Sequence, residues 1–208
     1  LKMVAGIDGG RCTVVAASSD PRVAVVELGP DGTLTNTSTT SYDTSSLSIH
    51  DLAIAPDGSR FALATFSADV PIFSVQRAKL VKAGSCTGAK KKVLSVAWSP
   101  CSRFLATCSE DMMLRVYDVG SGDRARQQVV ASSTAAVPSG GPLTSMCWVG
   151  ERLVGASGRD LFVFDGKSLE VRDAVYDAHG SSGVRLVSSG RDSFFASFAS
   201  NAVRIWQL

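Results

Sequence analysis

Two histidines, His50 and His179, and five cysteines, Cys12, Cys86, Cys101, Cys108 and Cys147, are the side chains that could serve as bases, nucleophiles or soft metal ligands. Their spacing argues against each use. The cysteines form no Cys-x-x-Cys pair, so a zinc site lacks gathered ligands. No G-x-S-x-G elbow or similar nucleophile signature accompanies either histidine. His50 stands beside Asp51 at the start of an apolar run, a place for an exposed side chain. His179, in Ala-His-Gly ahead of another such run, is read as a structural hydrogen-bonding group. The chain is therefore read as non-catalytic, with no metal and no cofactor.

The remaining groups suit recognition. The run Lys90-Lys91-Lys92, with Lys79 and Lys82 nearby, could hold phosphate, RNA or an acidic peptide, although a lysine-rich loop is first of all a solvated one. Arg159 occupies a comparable turn further on. Met112 could offer a soft apolar contact to a partner, with Met113 beside it packing inward or the reverse. Gly9-Gly10, Asp31-Gly32, Asp57-Gly58 and Gly140-Gly141 precede no helix, so they are hairpin turns rather than phosphate cradles. Lys90, Lys91, Lys92, Met112 and Arg159 are the candidate partner-binding residues.

The elements that must position these groups come from a repeat. Residues 93–118, VLSVAWSPCSRFLATCSEDMMLRVYD, read as an apolar strand, a Ser-Pro turn, a strand of small and apolar residues, an acidic turn and a third strand. The order recurs at 3–28, 49–75, 143–165 and 184–206. The turn position falls at Asp20, Asp69, Asp111, Asp160 and Asn201, and the bulky third-strand position at Val26, Phe73, Tyr117, Phe164 and Trp206. Both sets recur at roughly 40–50 residues, the length of one propeller blade with loop insertions. Second strands such as FALATF, FLATCS and RLVGAS are apolar or small throughout, as sheets packed on both faces require. Outer strands are expected at about 33–40, 79–86, 125–132 and 171–177, and the stretch Ala131 to Pro142, ASSTAAVPSGGP, reads as a linker.

At 93–118 the motifs Val-x-Ser-Val-x-Trp-Ser-Pro, Leu-Ala-Thr-x-Ser-x-Asp and Leu-Arg-Val-Tyr-Asp resemble the WD40 repeat, and the final Val-Arg-Ile-Trp is similar to its closing strand. The resemblance implies an all-β propeller, about five blades of a probable seven, occupying residues 1–208 as a single domain. The approximate blades are 1–40, 49–86, 93–132, 142–177 and 183–208, the fifth without an outermost strand. The resemblance further implies a buried network of a third-strand aromatic, a second-strand hydroxyl, a turn acid and a histidine before the first strand. Carried over, this gives Tyr117, Ser109 or Thr107 and Asp111 in the third blade, with Gly88-Ala89 where Gly-His is usual. In the fifth it gives Trp206, Ser197 or Ser200, Asn201 and His179. The Pro-Cys-x-Arg-Phe turn and the Ala-Asp-Val-Pro-Ile-Phe blade also resemble the transducin beta-like protein 2 branch, whose members carry an N-terminal membrane anchor.

Composition limits the function classes. Hydrophobic residues at 45% and charged residues at 19% supply a core and exclude a disordered chain. A net charge of +2 is too small to dictate nucleic-acid or membrane binding, which leaves only local clusters. The odd, scattered cysteines point to a reducing compartment, hence the cytoplasm. The branch resemblance offers the alternative of a cytosol-facing or lumenal domain of a protein anchored in the endoplasmic reticulum membrane. No segment of the visible chain is apolar enough to enter a bilayer, and a start inside an apolar stretch at Leu1 leads us to expect further chain upstream. The functional expectation is a scaffold for protein–protein interaction within a larger complex, its partner a protein or peptide. An RNA-associated propeller using the basic loop is the alternative.

Overall fold

The computed structural model describes residues 2–8, 11–17, 22–41, 49–76, 79–120, 127–130, 133–188, 193–200 and 202–208. Every regular element among them is a strand. The first sheet holds β1 (Lys2–Asp8), β2 (Arg11–Ala17), β3 (Arg22–Leu28) and β4 (Leu34–Ser41). There follow β5 (Ile49–Ile54), β6 (Arg60–Thr65), β7 (Val70–Gln76) and β8 (Lys79–Thr87), then β9 (Val93–Trp98), β10 (Phe104–Ser109) and β11 (Met113–Asp118). Next come two short strands, β12 (Gln127–Val130) and β13 (Ser133–Ala136). The chain continues with β14 (Ser145–Val149), β15 (Arg152–Ser157), β16 (Asp160–Asp165) and β17 (Val171–Val175), and ends with β18 (Arg185–Ser188), β19 (Phe194–Ala199) and β20 (Ala202–Gln207). These form five antiparallel meanders, with one parallel addition. The innermost strands β1, β5, β9, β14 and β18 neighbour one another in chain order, which is the radial arrangement of a β-propeller.

Tight turns join the first two strands of blades two and three in the way their residues dictate. In the β5–β6 turn the Asp57 carboxylate accepts from the Ser59 amide (3.0 Å) and hydroxyl (2.6 Å), while Gly58 takes φ +69°. In the β9–β10 turn Ser99 does comparable work, its hydroxyl accepting from the Phe104 amide at 2.9 Å. Short polar side chains that bond their own backbone favour turns over continued strand.

The core lies between blades. Val15, Val23 and Val25 of blade one pack on Leu52, Phe61 and Leu63 of blade two. Ala62, Ala64 and Ile72 meet Val96, Trp98 and Leu105 across the next junction. Ala106, Cys108 and Leu114 meet Leu143, Leu153 and Phe162 between blades three and four, and Val154, Ala156 and Leu161 meet Val184 and Phe195 beyond. Every residue of β6 is buried, since both faces are covered. Small residues allow the close approach that the second-strand sequences imply. A Cβ at Gly155 would come within 2.5 Å of a side-chain methyl of fully buried Leu143.

Hydrogen bonds cross the same junctions. The indole N–H of Trp98 donates to the Ala53 carbonyl (3.2 Å), and that of Trp148 to the Ala97 carbonyl (3.1 Å), so equivalent tryptophans each reach back to the preceding inner strand. The Asp51 carboxylate accepts from the Ser95 hydroxyl (2.9 Å) and the Val96 amide (3.1 Å). Buried Arg60 lies 5.1 Å from the Trp98 ring centroid and donates to the Ser102 carbonyl at 2.7 Å.

Two expectations need correction. The stretch 125–132 does not close blade three. Its strand β12 pairs in parallel with β8, Gln127 opposite Gly84 and Val130 opposite Thr87, and makes blade two five-stranded. Blade three is closed by β13, with Met113 opposite Ala136 and Val116 opposite Ser133, inside the stretch read as a linker. Two four-residue segments follow one another here, and the β-branched pair in Gln-Gln-Val-Val and the small alternating Ser-Thr-Ala-Ala each suit an edge.

Blade five has three strands among the described residues. Its face toward blade four carries Phe195 and Ser197, both buried. The opposite face exposes Val187, Phe194, Phe198, Val203 (71%) and Ile205 (77%), which the register places together, Phe198 opposite Val203 and Ala196 opposite Ile205.

Candidate functional site

Antiparallel register puts the start of each first strand beside the end of the second, as Val93 opposite Ser109 shows. The second-to-third strand turns and the loops that enter the blades therefore share one rim. Lys90 to Lys92, Met112, Arg159 and His179 all belong to it.

The blade-three turn is organised around Asp111. Its carboxylate accepts from the Lys90 amide (2.9 Å), the Met113 amide (3.1 Å), the Ser109 hydroxyl and both terminal nitrogens of Arg115 (2.7 and 3.1 Å). The Arg115 guanidinium also donates to Ser109 at 3.0 Å. Both charged side chains are nearly inaccessible to water. Burial alone pushes the Asp111 carboxyl up, but Arg115, Ser109 and the two amides override it and hold the group well below the usual carboxylate range. Asp111 and Ser109 are thus brought together in one turn, with Arg115 as a partner that the sequence reading did not name.

Tyr117 stands apart from that cluster. Its hydroxyl donates to the Thr87 carbonyl at 3.0 Å, and burial raises the phenol to about 12. Thr87 directly precedes Gly88-Ala89, so the tyrosine oxygen secures the segment in which the usual histidine is missing. In blade five the set is fuller. Ser197 Oγ lies 2.7 Å from His179 Nε2 and accepts the Trp206 indole N–H, also at 2.7 Å. His179 is buried, which lowers its pKa, and the positive charge of Arg204 lowers it further. Asn201 lies outside the described residues.

The lysine run divides. Lys90 and Lys91 are exposed, whereas Lys92 bonds Glu110 at 2.9 Å and its ammonium sits 4.9 Å from the Phe66 ring centroid. Met112 is 44% exposed with Met113 half-buried, and Met112 holds φ +61° in the left-handed region. Phe66 is exposed to the same extent and its ring centroid lies 4.2 Å from that of His50. Sequence reasoning missed Phe66, although an aromatic just past a fully buried strand is a signal. Arg159 fixes the blade-five entry loop. Its Nε–H donates to the His179 carbonyl (3.0 Å) and its guanidinium pairs with Asp177 (3.2 Å), beside a groove of about 450 Å³ lined by Ser139, Gly141, Thr144, Ser157 and Asp160.

Reactive groups are not gathered. The described residues contain no set of three or more His, Cys, Asp and Glu placed to hold a metal. Burial raises the thiols of Cys86 and Cys147 to about 12 and that of Cys108 to about 11, away from the thiolate a nucleophile needs.

Residues 81–118, the span from β8 through β11, match the family described as WD domain, G-beta repeat. The described strands form a β-propeller, and one stretch of it matches this repeat. The match runs from β8 of blade two through the three inner strands of blade three, whose turn Asp111 organises, and it gives no support to the transducin beta-like protein 2 branch. No curated protein matches the chain. WD40 domains typically mediate protein–protein interaction and are generally non-catalytic, which fits a rim of exposed side chains on fixed turns.

Proposed function

We propose that this propeller is a non-catalytic scaffold that presents its rim to a protein or peptide partner within a larger complex. The observation that carries the reading is the blade-three turn. The buried Asp111–Arg115 pair fixes a loop from which Lys90, Lys91 and Met112 project into solvent. A surface whose backbone is already ordered loses little entropy on binding. Arg159 contributes less as a free cation than as a brace for the loop around His179. The free thiols of all five cysteines support a reducing compartment such as the cytoplasm. A ring of about seven blades belongs to the same reading, supported by the apolar face that blade five exposes.

The test is affinity purification of the tagged protein from its own cells, beside a variant with Lys90, Lys91 and Met112 replaced by Glu, Glu and Gly. The expected result is a defined set of proteins with the wild type that is depleted with the variant. Loss of every co-purifying protein from the wild-type sample after a salt wash, or turnover of a small molecule by the purified chain, would contradict it.

A further inference from the structure

We propose that the rim between blades two and three binds an acidic peptide segment bearing one large apolar side chain. The inference rests on the scaffold reading and names the partner's chemistry. Two exposed apolar side chains define the surface, Phe66 in the β6–β7 turn and Met112 in the β10–β11 turn. They belong to one connected stretch of rim. The Val93 amide donates to the Ser67 carbonyl (3.3 Å), the Glu110 amide to the Lys92 carbonyl (3.0 Å), and the Lys92 ammonium touches both Phe66 and Glu110.

The charges select the ligand. Lys90, Lys91, Lys92 and Arg115 stand against Asp69, Glu110 and Asp111 in these turns and the adjoining loop. Two of the three carboxylates are consumed, Glu110 by Lys92 and Asp111 by Arg115. Among the described residues the Lys90 and Lys91 side chains have no ion-pair partner, while the Lys90 backbone is fixed by its amide bond to Asp111. The excess positive charge is therefore concentrated at two exposed lysines on the blade-three side, the first of them anchored through its amide, where ligand carboxylates gain most. The Phe66 ring does not offer a clear face for stacking a base, because Lys92 lies over it and His50 packs against it. Its accessible part suits an aliphatic or aromatic side chain. Methionine at φ +61° is a conformation for which blade four uses Gly158, at φ +59°. An apolar side chain displayed at that backbone is what a contact surface requires.

The experiment is fluorescence anisotropy on the intact chain with three probes: an octapeptide of Asp and Glu with a central Leu, the same peptide with a central Ala, and a twelve-residue oligouridylate. Wild type is compared with the Lys90→Glu/Lys91→Glu double variant and with Met112→Gly, a residue at ease at positive φ. Circular dichroism and melting of each variant should match wild type. We expect the Leu peptide to bind at least tenfold tighter than the Ala peptide, the double variant to lose tenfold or more, and Met112→Gly to lose at least threefold. Equal binding of the two peptides, binding that survives Lys90→Glu/Lys91→Glu, no peptide binding at millimolar concentration, or tighter binding of the oligouridylate overturns the proposal. If cellular partners co-purify equally with wild type and with the double variant, the scaffold reading stands and this site fails. If none co-purifies with either, the scaffold reading itself fails.

Discussion

Ser197 joins two aromatic side chains through one oxygen, and the consequence is a dependence on pH. His179 Nε2 and the Trp206 indole both rest on its hydroxyl in a buried space. Burial holds the imidazole neutral in the fold, with its pKa below the ordinary value, while in the unfolded chain it titrates near 6.5. Below that pH the unfolded chain takes up a proton more readily than the native state, so this contribution to stability is present above pH 6.5 and is lost as acidification passes the lowered native pKa. We expect the unfolding free energy from urea titration to fall between pH 7.5 and 5.5 at a slope of at most about 1.4 kcal/mol per pH unit from this group. His179→Gln should flatten that segment, and an unchanged slope would count against the assignment. At this scale the sequence was informative where a group bonds its near neighbours. Ser109 and Asp111 are two residues apart, and their contact follows from the turn. Arg115 was not legible, because a third-strand arginine normally reads as an outward charge and only the curl of the hairpin returns it to Asp111.

Strands were placed well wherever both faces of a sheet are covered. Runs of apolar and small residues such as β6 and β10 stand out in the sequence, and polar residues buried at their ends, such as Arg60 and Ser109, are bonded to the Ser102 carbonyl and to Asp111. The outer strands β12 and β13 have no such constraint, and nothing local decides which of two short segments joins which sheet. Close packing is the other property of this scale. Gly155 is the centre of β15, and its missing side chain leaves room for Leu143. Gly155→Ala should cost about 1–3 kcal/mol, because the leucine is enclosed and must move off its preferred geometry. Chemical denaturation of the variant measures this. A stabilised Gly155→Ala, as glycine replacement in an unhindered strand would give, would refute the packing argument.

Across the whole molecule the repeat was legible because two markers, an acidic turn and a bulky third-strand residue, return in step. The partner was not legible, because recognition depends on side chains such as Phe66 and Lys91 whose types are ordinary and whose exposure only the fold decides. One asymmetry stands out at this scale. Blades two, three and four are packed on both faces, whereas blade five turns Val203, Ile205, Phe198 and Phe194 to solvent. An apolar surface of this kind drives association. The isolated chain is expected to sediment faster as its concentration rises, and a Val203→Thr/Ile205→Thr variant, in which two β-branched residues replace two others, should remain monomeric with an unaltered melting midpoint. A wild type that stays monomeric throughout would show that the face is already covered.

The parallel pairing of β12 with β8 bears on the order in which the molecule can be made. Gly84 is hydrogen-bonded to a strand that begins at Gln127, and the loop so closed contains all of β9, β10 and β11. Pairings between distant residues form late, after local hairpins have shortened the effective path. A chain leaving the ribosome can assemble β5 to β8 early, yet the outer edge of β8 stays open until residue 130 has emerged. Blade two is thus finished only once the hairpins of blade three exist, and the two should mature as one unit rather than in succession.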